Sequence, residues 1–422
     1  MEKEIGLCRG LSCTTPGHVD ADRKSNPVPA HSRPFSSYLT FPARRKTVNY
    51  HVWQGGDLVF ARVGEMSRLH ALDSARATLL LLGVLFHSAV FVYLYQEPAS
   101  FTEFLVVTYL HQLLHVFRMP AFFVISGFFA AYLLEARGPR RFLGNRLSRI
   151  ALPLAIFWLP LTFANGWASQ GSWITGRQTF SILPIDFQHL WFLFFIVIYS
   201  LIFVAMGRVT FWLAGRRSHP LLTMVLIGSL APVLPGVLDK EGTLSTSTGI
   251  FPDPGLLLWY LVIFLSGAVA YHQREFWLQY LRRSAIWFTG LFLILFTAFF
   301  FVQDWGLAVT GWIYGAAVVL GSYATIGLFL RFGDKPSKAM TFVADASYWL
   351  YLVHLPLVFL FLVGFSANGF GAFATIALSS SLTIFLGLLS YKVLVRHTVI
   401  SNLLNGKRHP LRVKKPDFSK DA

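Results

Sequence analysis

Apolar residues run along this chain in blocks of about twenty, the length that spans a hydrocarbon core, with short polar stretches between them. The blocks predict ten transmembrane helices, near 74–95, 114–134, 147–164, 189–207, 221–236, 255–272, 285–302, 307–330, 343–363 and 371–391. The fifth is the weakest, and the apolar stretch 104–113 reads as an interfacial or re-entrant piece. Residues 1–65 follow no sustained period and are rich in Pro, Ser and Arg, a composition that predicts a disordered extension. They lack the basic and apolar regions of a signal peptide. Met66 opens a sensible alternative start, MSRLHALDSARA, which would make the upstream stretch an over-long reading frame. The pattern therefore predicts an all-α polytopic membrane protein in three parts: a polar extension over 1–65, a transmembrane domain over 66–395 and a basic tail over 396–422.

Composition agrees with this. Hydrophobic residues make up 55% of the chain and charged residues 13%, too few charges to cover a soluble surface of this size. The net charge of +16 would suggest nucleic acid if it formed one basic footprint. Instead it is parcelled into short stretches. With both termini placed in the cytoplasm, the inner loops 135–149, 208–220, 271–285 and 331–340 hold fourteen Lys and Arg, and the tail from Lys392 holds eight more. The outer loops hold only Arg177 and Lys240. A missed helix would invert this asymmetry downstream, so the count and orientation support each other. The expected partner of the charge is a lipid bilayer and not a nucleic acid. The two cysteines, Cys8 and Cys13, both lie in the extension. They leave the membrane body without a disulfide framework, a thiolate nucleophile or a cysteine zinc site, and no metal is expected.

Ionisable groups inside apolar spans are costly and mark candidate chemistry. Arg76 and His87 stand eleven positions apart in the first span, which is three helical turns, so they share a face about 16 Å apart along the axis. An arginine can pair with phosphates and an imidazole can take a proton from a hydroxyl near neutral pH. A snorkelling Arg and a hydrogen-bonded core His explain the same spacing. In the second span His115-Val-Phe-Arg118-Met-Pro120 puts a cation in an apolar run, which reads as function. Ser126-Gly127 reads as helix packing, and Pro120 is expected to kink the helix. Arg146 and Arg149 share one helical face at the cytoplasmic interface, either as anchors or as a phosphate grip. His189-Leu-Trp191 falls at the outer interface, where a Trp is ordinary belt chemistry. His354 lies within the ninth span, in Tyr351-Leu-Val-His354.

Taken in series, these elements resemble the membrane-bound acyltransferase 3 family. The likeness rests on Arg76-x10-His87, Phe122-Phe-Val-Ile-Ser-Gly-Phe128, Arg146-x-x-Arg149-x-x-x-Pro153, His189-Leu-Trp191-Phe192, and Ser347-Tyr348 through His354. It covers about 66 to 395. Leu72-Asp-Ser-x-Arg76 and His115-x-Phe-Arg118-Met119 are similar to the branch associated with succinylation of osmoregulated periplasmic glucans. The resemblance implies an O-acyltransferase in which Arg76 and His87 serve catalysis. It implies acyl-CoA (succinyl-CoA or acetyl-CoA) as co-substrate, with no bound cofactor, near Arg76, Arg146 and Arg149. It implies a periplasmic or cell-surface glycan as acceptor, and His115, Arg118, His189, Trp191 and His354 are the candidates to shape the acceptor site. Glucan biosynthesis enzymes are candidate partners. Direct transfer and an acyl-histidine intermediate both remain open. The rival class is a glycan or lipid-linked sugar transporter, which would move its substrate without covalent change.

Overall fold

The computed structural model describes residues 48–54, 57–63, 70–171, 185–207, 218–239, 242–302, 307–335 and 337–406. Cys8, Cys13, Met66, Arg177, Lys240 and the tail beyond 406 fall outside the described residues. Two antiparallel strands, β1 (Val48–Gln54) and β2 (Asp57–Val63), pair from Val48↔Val63 to Gln54↔Asp57. They lie in the stretch for which the sequence predicted no regular structure. The sign overlooked was local: two glycines, Gly55-Gly56, separate runs in which β-branched and aromatic residues alternate with polar ones. That is a hairpin signature.

From His70 onward every named element is helical. In order come α1 (His70–Tyr95), α2 (Phe101–Arg146), a π turn (Leu147–Ala151), α3 (Leu152–Ser169), a 3-10 turn (Gln188–Leu190), α4 (Trp191–Ala205), α5 (Pro220–Leu230), α6 (Pro254–His272), α7 (Arg274–Phe301), α8 (Leu307–Phe332), α9 (Lys338–Ala367), α10 (Ala372–Ser390), a second π turn (Tyr391–Val395) and α11 (Val399–Asn405). Among the described residues eight runs are long and apolar enough to cross a membrane, and one of them, Phe101–Ser169, covers both the second and third predicted spans. From His70 onward the chain is a multi-pass, all-α membrane protein. The fifth predicted span, α5, has 11 residues, about 16 Å of helix against a core of about 30 Å. It is a partial span.

Two boundaries moved for physical reasons. Residues 104–113 are not a separate piece: α2 starts at Phe101, where Ser100 accepts from the Glu103 amide at 3.1 Å. Glu103 accepts in return from the Ala99 amide at 2.6 Å and from the Ala372 amide at 3.1 Å. This capping arrangement ties the start of α2 to the start of α10. The expected loop at 135–149 is helix, bent at Gly138 (φ 73, ψ 166) just before Pro139. Glycine reaches that backbone without a Cβ clash. Pro120, expected to kink the helix, leaves its φ/ψ helical. Ser322 of α8 donates to the Phe117 carbonyl at 3.1 Å close by.

The body is held by close helix contact. At the crossing of α2 and α6, a Cβ on Gly127 would run into the Phe264 carbonyl, and one on Gly267 into the Val124 carbonyl. Gly127 is thus a packing residue, while its neighbour Ser126 lines a cavity. Helix α1 packs against α2, α8, α9 and α10, so the helix that carries Arg76 and His87 lies inside the bundle.

Candidate active site

A cavity of ≈ 1060 Å³ runs along the inner face of α1, at the upper edge of the about 300–1,000 Å³ usual for small-molecule sites. Arg76, Leu80, Gly83, His87, Phe91 and Leu94 line it, recurring every three or four residues as one helical face must. All nine residues singled out from the sequence line this cavity: Arg76, His87, His115, Arg118, Arg146, Arg149, His189, Trp191 and His354. They come from α1, α2, the π turn, the 3-10 turn, α4 and α9.

One end is cationic. Arg76 is 48% exposed in its side chain and lies 4.0 Å from Asp73. Arg146 stacks over Phe142 at 5.1 Å, and its Nε is buried without a partner. Arg149 sits on the π turn, an element that often marks functional positions. Its guanidinium donates to the Asn405 carbonyl at 3.0 Å, and its own carbonyl accepts from the Tyr348 hydroxyl at 2.9 Å. Asn405 also donates to the Asp345 carbonyl at 2.8 Å. The short α11, in what the sequence showed only as a basic tail, therefore closes onto this end of the cavity.

The middle is a cluster of imidazoles. The His87 and His354 ring centres lie 5.1 Å apart, and so do those of His354 and His189. His354 Nδ1 is 2.7 Å from the Tyr351 carbonyl. A carbonyl only accepts, so Nδ1 carries the proton and Nε2 keeps a lone pair in the neutral ring. His189 Nε2 donates to the Leu352 carbonyl at 3.0 Å, and its Nδ1 is buried without a partner. His87 Nδ1 is also buried and unpartnered. Its ring is held by Phe86 at 4.9 Å and Phe91 at 5.7 Å instead of by a carboxylate. The Tyr351 hydroxyl donates to the His189 carbonyl at 2.6 Å, which fixes the third ring relative to α9. Among the described residues no group of three or more His, Cys, Asp or Glu is placed to hold a metal ion.

Arg118 belongs to the same level. It is 5% exposed, and its Cζ lies 4.3 Å from the centre of Phe86, which stacks on His115 at 5.3 Å. A Cβ on Gly83 would come within 2.8 Å of its guanidinium, so the glycine makes room for the charge. Its Nε is buried without a hydrogen-bond partner, and no carboxylate pairs with it among the described residues. A buried guanidinium without a counter-ion is costly, which makes it a candidate to receive an anion.

The far end carries Asn165, Ser169, Gln188, Thr246 and Thr248, all uncharged. His189 and Trp191, expected at a membrane interface, are buried, at 7% and 8% exposure. Trp191 packs between Phe195 at 5.1 Å and Tyr260 at 5.6 Å, so it is a wall of the bundle and not part of an interfacial belt. The correction has a simple cause: the turn ahead of α4 is held against α9 by the His189 Nε2 bond to the Leu352 carbonyl and the Tyr351 bond to the His189 carbonyl. Asn165, Gln188 and Asn405 were not singled out from the sequence, and Tyr351 entered only as part of the Tyr351-Leu-Val-His354 stretch. Asn165 gave a signal that was overlooked, a carboxamide within the apolar run Leu161–Trp167.

A family model described as an acyltransferase domain matches residues 69–392, a span that holds all nine of these residues but not α11. Two relatives named Glucans biosynthesis protein C, from Salmonella paratyphi B and Salmonella agona, are each 27% identical over 380 residues. The match covers 81% of this chain and 95% of theirs. No solved structure matches the chain.

Proposed function

The chain belongs to this acyltransferase family, and from that premise we propose that it moves a succinyl or acetyl group from cytoplasmic acyl-CoA to a hydroxyl of a periplasmic or cell-surface glycan. The name of the Salmonella relatives points to a glucan as the acceptor class. The observation that carries the reading is one cavity that joins an arginine-rich end, an imidazole with an unpartnered ring nitrogen and an uncharged polar end. The charge asymmetry of the loops supports a reading in which the arginine end faces the cytoplasm across a bacterial inner membrane.

The chemistry follows the order of residues along the cavity. Arg76, Arg146 and Arg149 hold the phosphates of the donor through charge-assisted hydrogen bonds. The thioester reaches the level of His87. A sugar hydroxyl attacks the thioester carbon while His87 takes its proton. The C–S bond breaks, an ester forms, and the proton passes from His87 to the departing thiolate. His115, His189, Trp191 and His354 line the place where the acceptor meets the acyl carbon. Arg118 offers its unpaired charge to the negative charge the donor brings, the free carboxylate of a dicarboxylic acyl group or the oxyanion of the intermediate. The acyl-CoA is a co-substrate and not a resident cofactor.

Mass spectrometry of periplasmic glucans from a deletion strain, complemented with wild type or His87→Ala, tests this reading. Wild type alone is expected to restore a mass increment of about 100 Da for succinyl or about 42 Da for acetyl, since only it retains the general base. Equal restoration by His87→Ala would remove His87 from the mechanism. No increment on any glycan would favour transport without covalent change.

A further inference from the structure

The uncharged end of the cavity contains a pair of carboxamides held in an unusual way. Asn165, near the end of α3, is 2% exposed. Its Nδ2 donates to Gln188 Oε1, while its Oδ1 is buried without a partner. An amide oxygen left open in a buried wall carries a desolvation cost unless something fills it. Gln188 is the one non-glycine residue with positive φ among the described residues, at 47°. A residue with a long side chain in that region is strained, and such strain persists only where the surroundings enforce it. Here they do. The Gln188 amide donates to Asp186 Oδ1 at 2.6 Å, the Phe187 amide donates to the Thr248 carbonyl at 2.8 Å, and Asp186 bridges to Gly249. The strained residue immediately precedes His189, so one turn presents both the carboxamide and an imidazole of the central cluster.

We propose that the Asn165–Gln188 carboxamide pair is the subsite that grips hydroxyls of an uncharged polyhydroxy acceptor and aligns one of them with His87. This rests on the acyl-transfer reading for the identity of the reacting group. A carboxamide offers both a donor and an acceptor, and so does a sugar hydroxyl. The hydroxyls of Ser169, Thr246 and Thr248 share this end of the cavity. The charged lining residues lie elsewhere: Asp73, Arg76, Arg146, Arg149 and Asp345 near the starts of α1, α3 and α9, and Arg118 at Phe86. Asn165 lies sixteen positions beyond Arg149, about 24 Å of helical rise. The subsite is therefore built for a neutral ligand and stands apart from the donor's phosphates.

The test uses the full-length protein, with acyl-CoA as donor and a glucose pentasaccharide as acceptor probe, and two variants. Asn165→Ala removes the open carbonyl. Gln188→Gly removes the carboxamide and relieves the positive φ, so a purely structural turn would tolerate or welcome it. Both variants are expected to raise the KM for the pentasaccharide about tenfold, the scale of one or two lost hydrogen bonds. The KM for acyl-CoA is expected to stay as in wild type, and Gln188→Gly is expected to unfold no earlier. Binding of the pentasaccharide without acyl-CoA reads the subsite in the absence of chemistry. Wild-type binding that both variants lose supports the proposal even if no transfer to the probe is seen, in which case only the acyl-transfer reading is in trouble. Equal binding by all three proteins, no binding by wild type, or a parallel loss of both KM values and thermal stability would overturn it.

Discussion

At one end of the cavity Arg76, Arg146 and Arg149 present positive charge, partly exposed, with Arg149 tied to the Asn405 carbonyl of α11. At the other, Asn165 and Gln188 present neutral carboxamides, one buried with an open oxygen and the other on a strained turn. The ends differ in what they can recognise. Charge suits the phosphates of a thioester carrier, and paired donor–acceptor groups suit a sugar. The imidazole cluster lies between them, and in the proposed reading the two substrates meet there, where His87 Nδ1 has no hydrogen-bond partner. A transporter would need its polar groups to accept the same ligand at both ends. A cavity with unlike ends suits two ligands that react in the middle.

This comparison can be broken at its junction first. His87→Ala is expected to lower the transfer rate by about 10²–10⁴-fold, the range for a lost general base, with no loss of folded protein. Single-turnover transfer from labelled acyl-CoA measures it. Arg146→Gln acts at the cationic end only. It is expected to raise the KM for acyl-CoA roughly tenfold to a hundredfold, as a charge-assisted contact worth about 1.5–3 kcal/mol predicts, with little change in the KM for acceptor. A rise in both KM values would show that the ends are not separate.

Gly127→Val lies away from both ends. Its side chain would meet the Phe264 carbonyl across the α2–α6 crossing. We expect a stability loss of about 1–3 kcal/mol, as for overpacked cores, read as a lower unfolding temperature in detergent. The smallest effect is expected from Tyr351→Phe, which removes the 2.6 Å bond to the His189 carbonyl. One neutral hydrogen bond is worth about 1 kcal/mol, so kcat should fall about fivefold with both KM values unchanged. A larger fall would give Tyr351 contact with the reacting atoms rather than a positioning role.

The cationic end and the middle were legible in the sequence because charge and imidazole stand out in apolar runs. Arg118 was noticed for that reason, and Arg76 and His87 for their three-turn spacing. The neutral end was not legible. One Asn in an apolar helix makes little contrast, and Gln188 owes its place to a positive φ and to the pairing of Phe187 with Thr248, neither of which is written in its neighbours. The helices were legible from the apolar period, while the edges of α2 were not. Its start depends on the Ser100–Glu103 cap, and its bend on Gly138. The hairpin over 48–63 was passed over because the surrounding composition is polar.

The most direct test of the account places the substrates on opposite sides of a membrane. The purified protein is reconstituted into vesicles with the glucose oligosaccharide trapped inside and labelled acyl-CoA added outside. The account predicts labelled, acylated oligosaccharide inside vesicles whose proteins expose the arginine end outward, and none with His87→Ala. Product that forms only when both substrates share one side would contradict a cavity that joins the two faces.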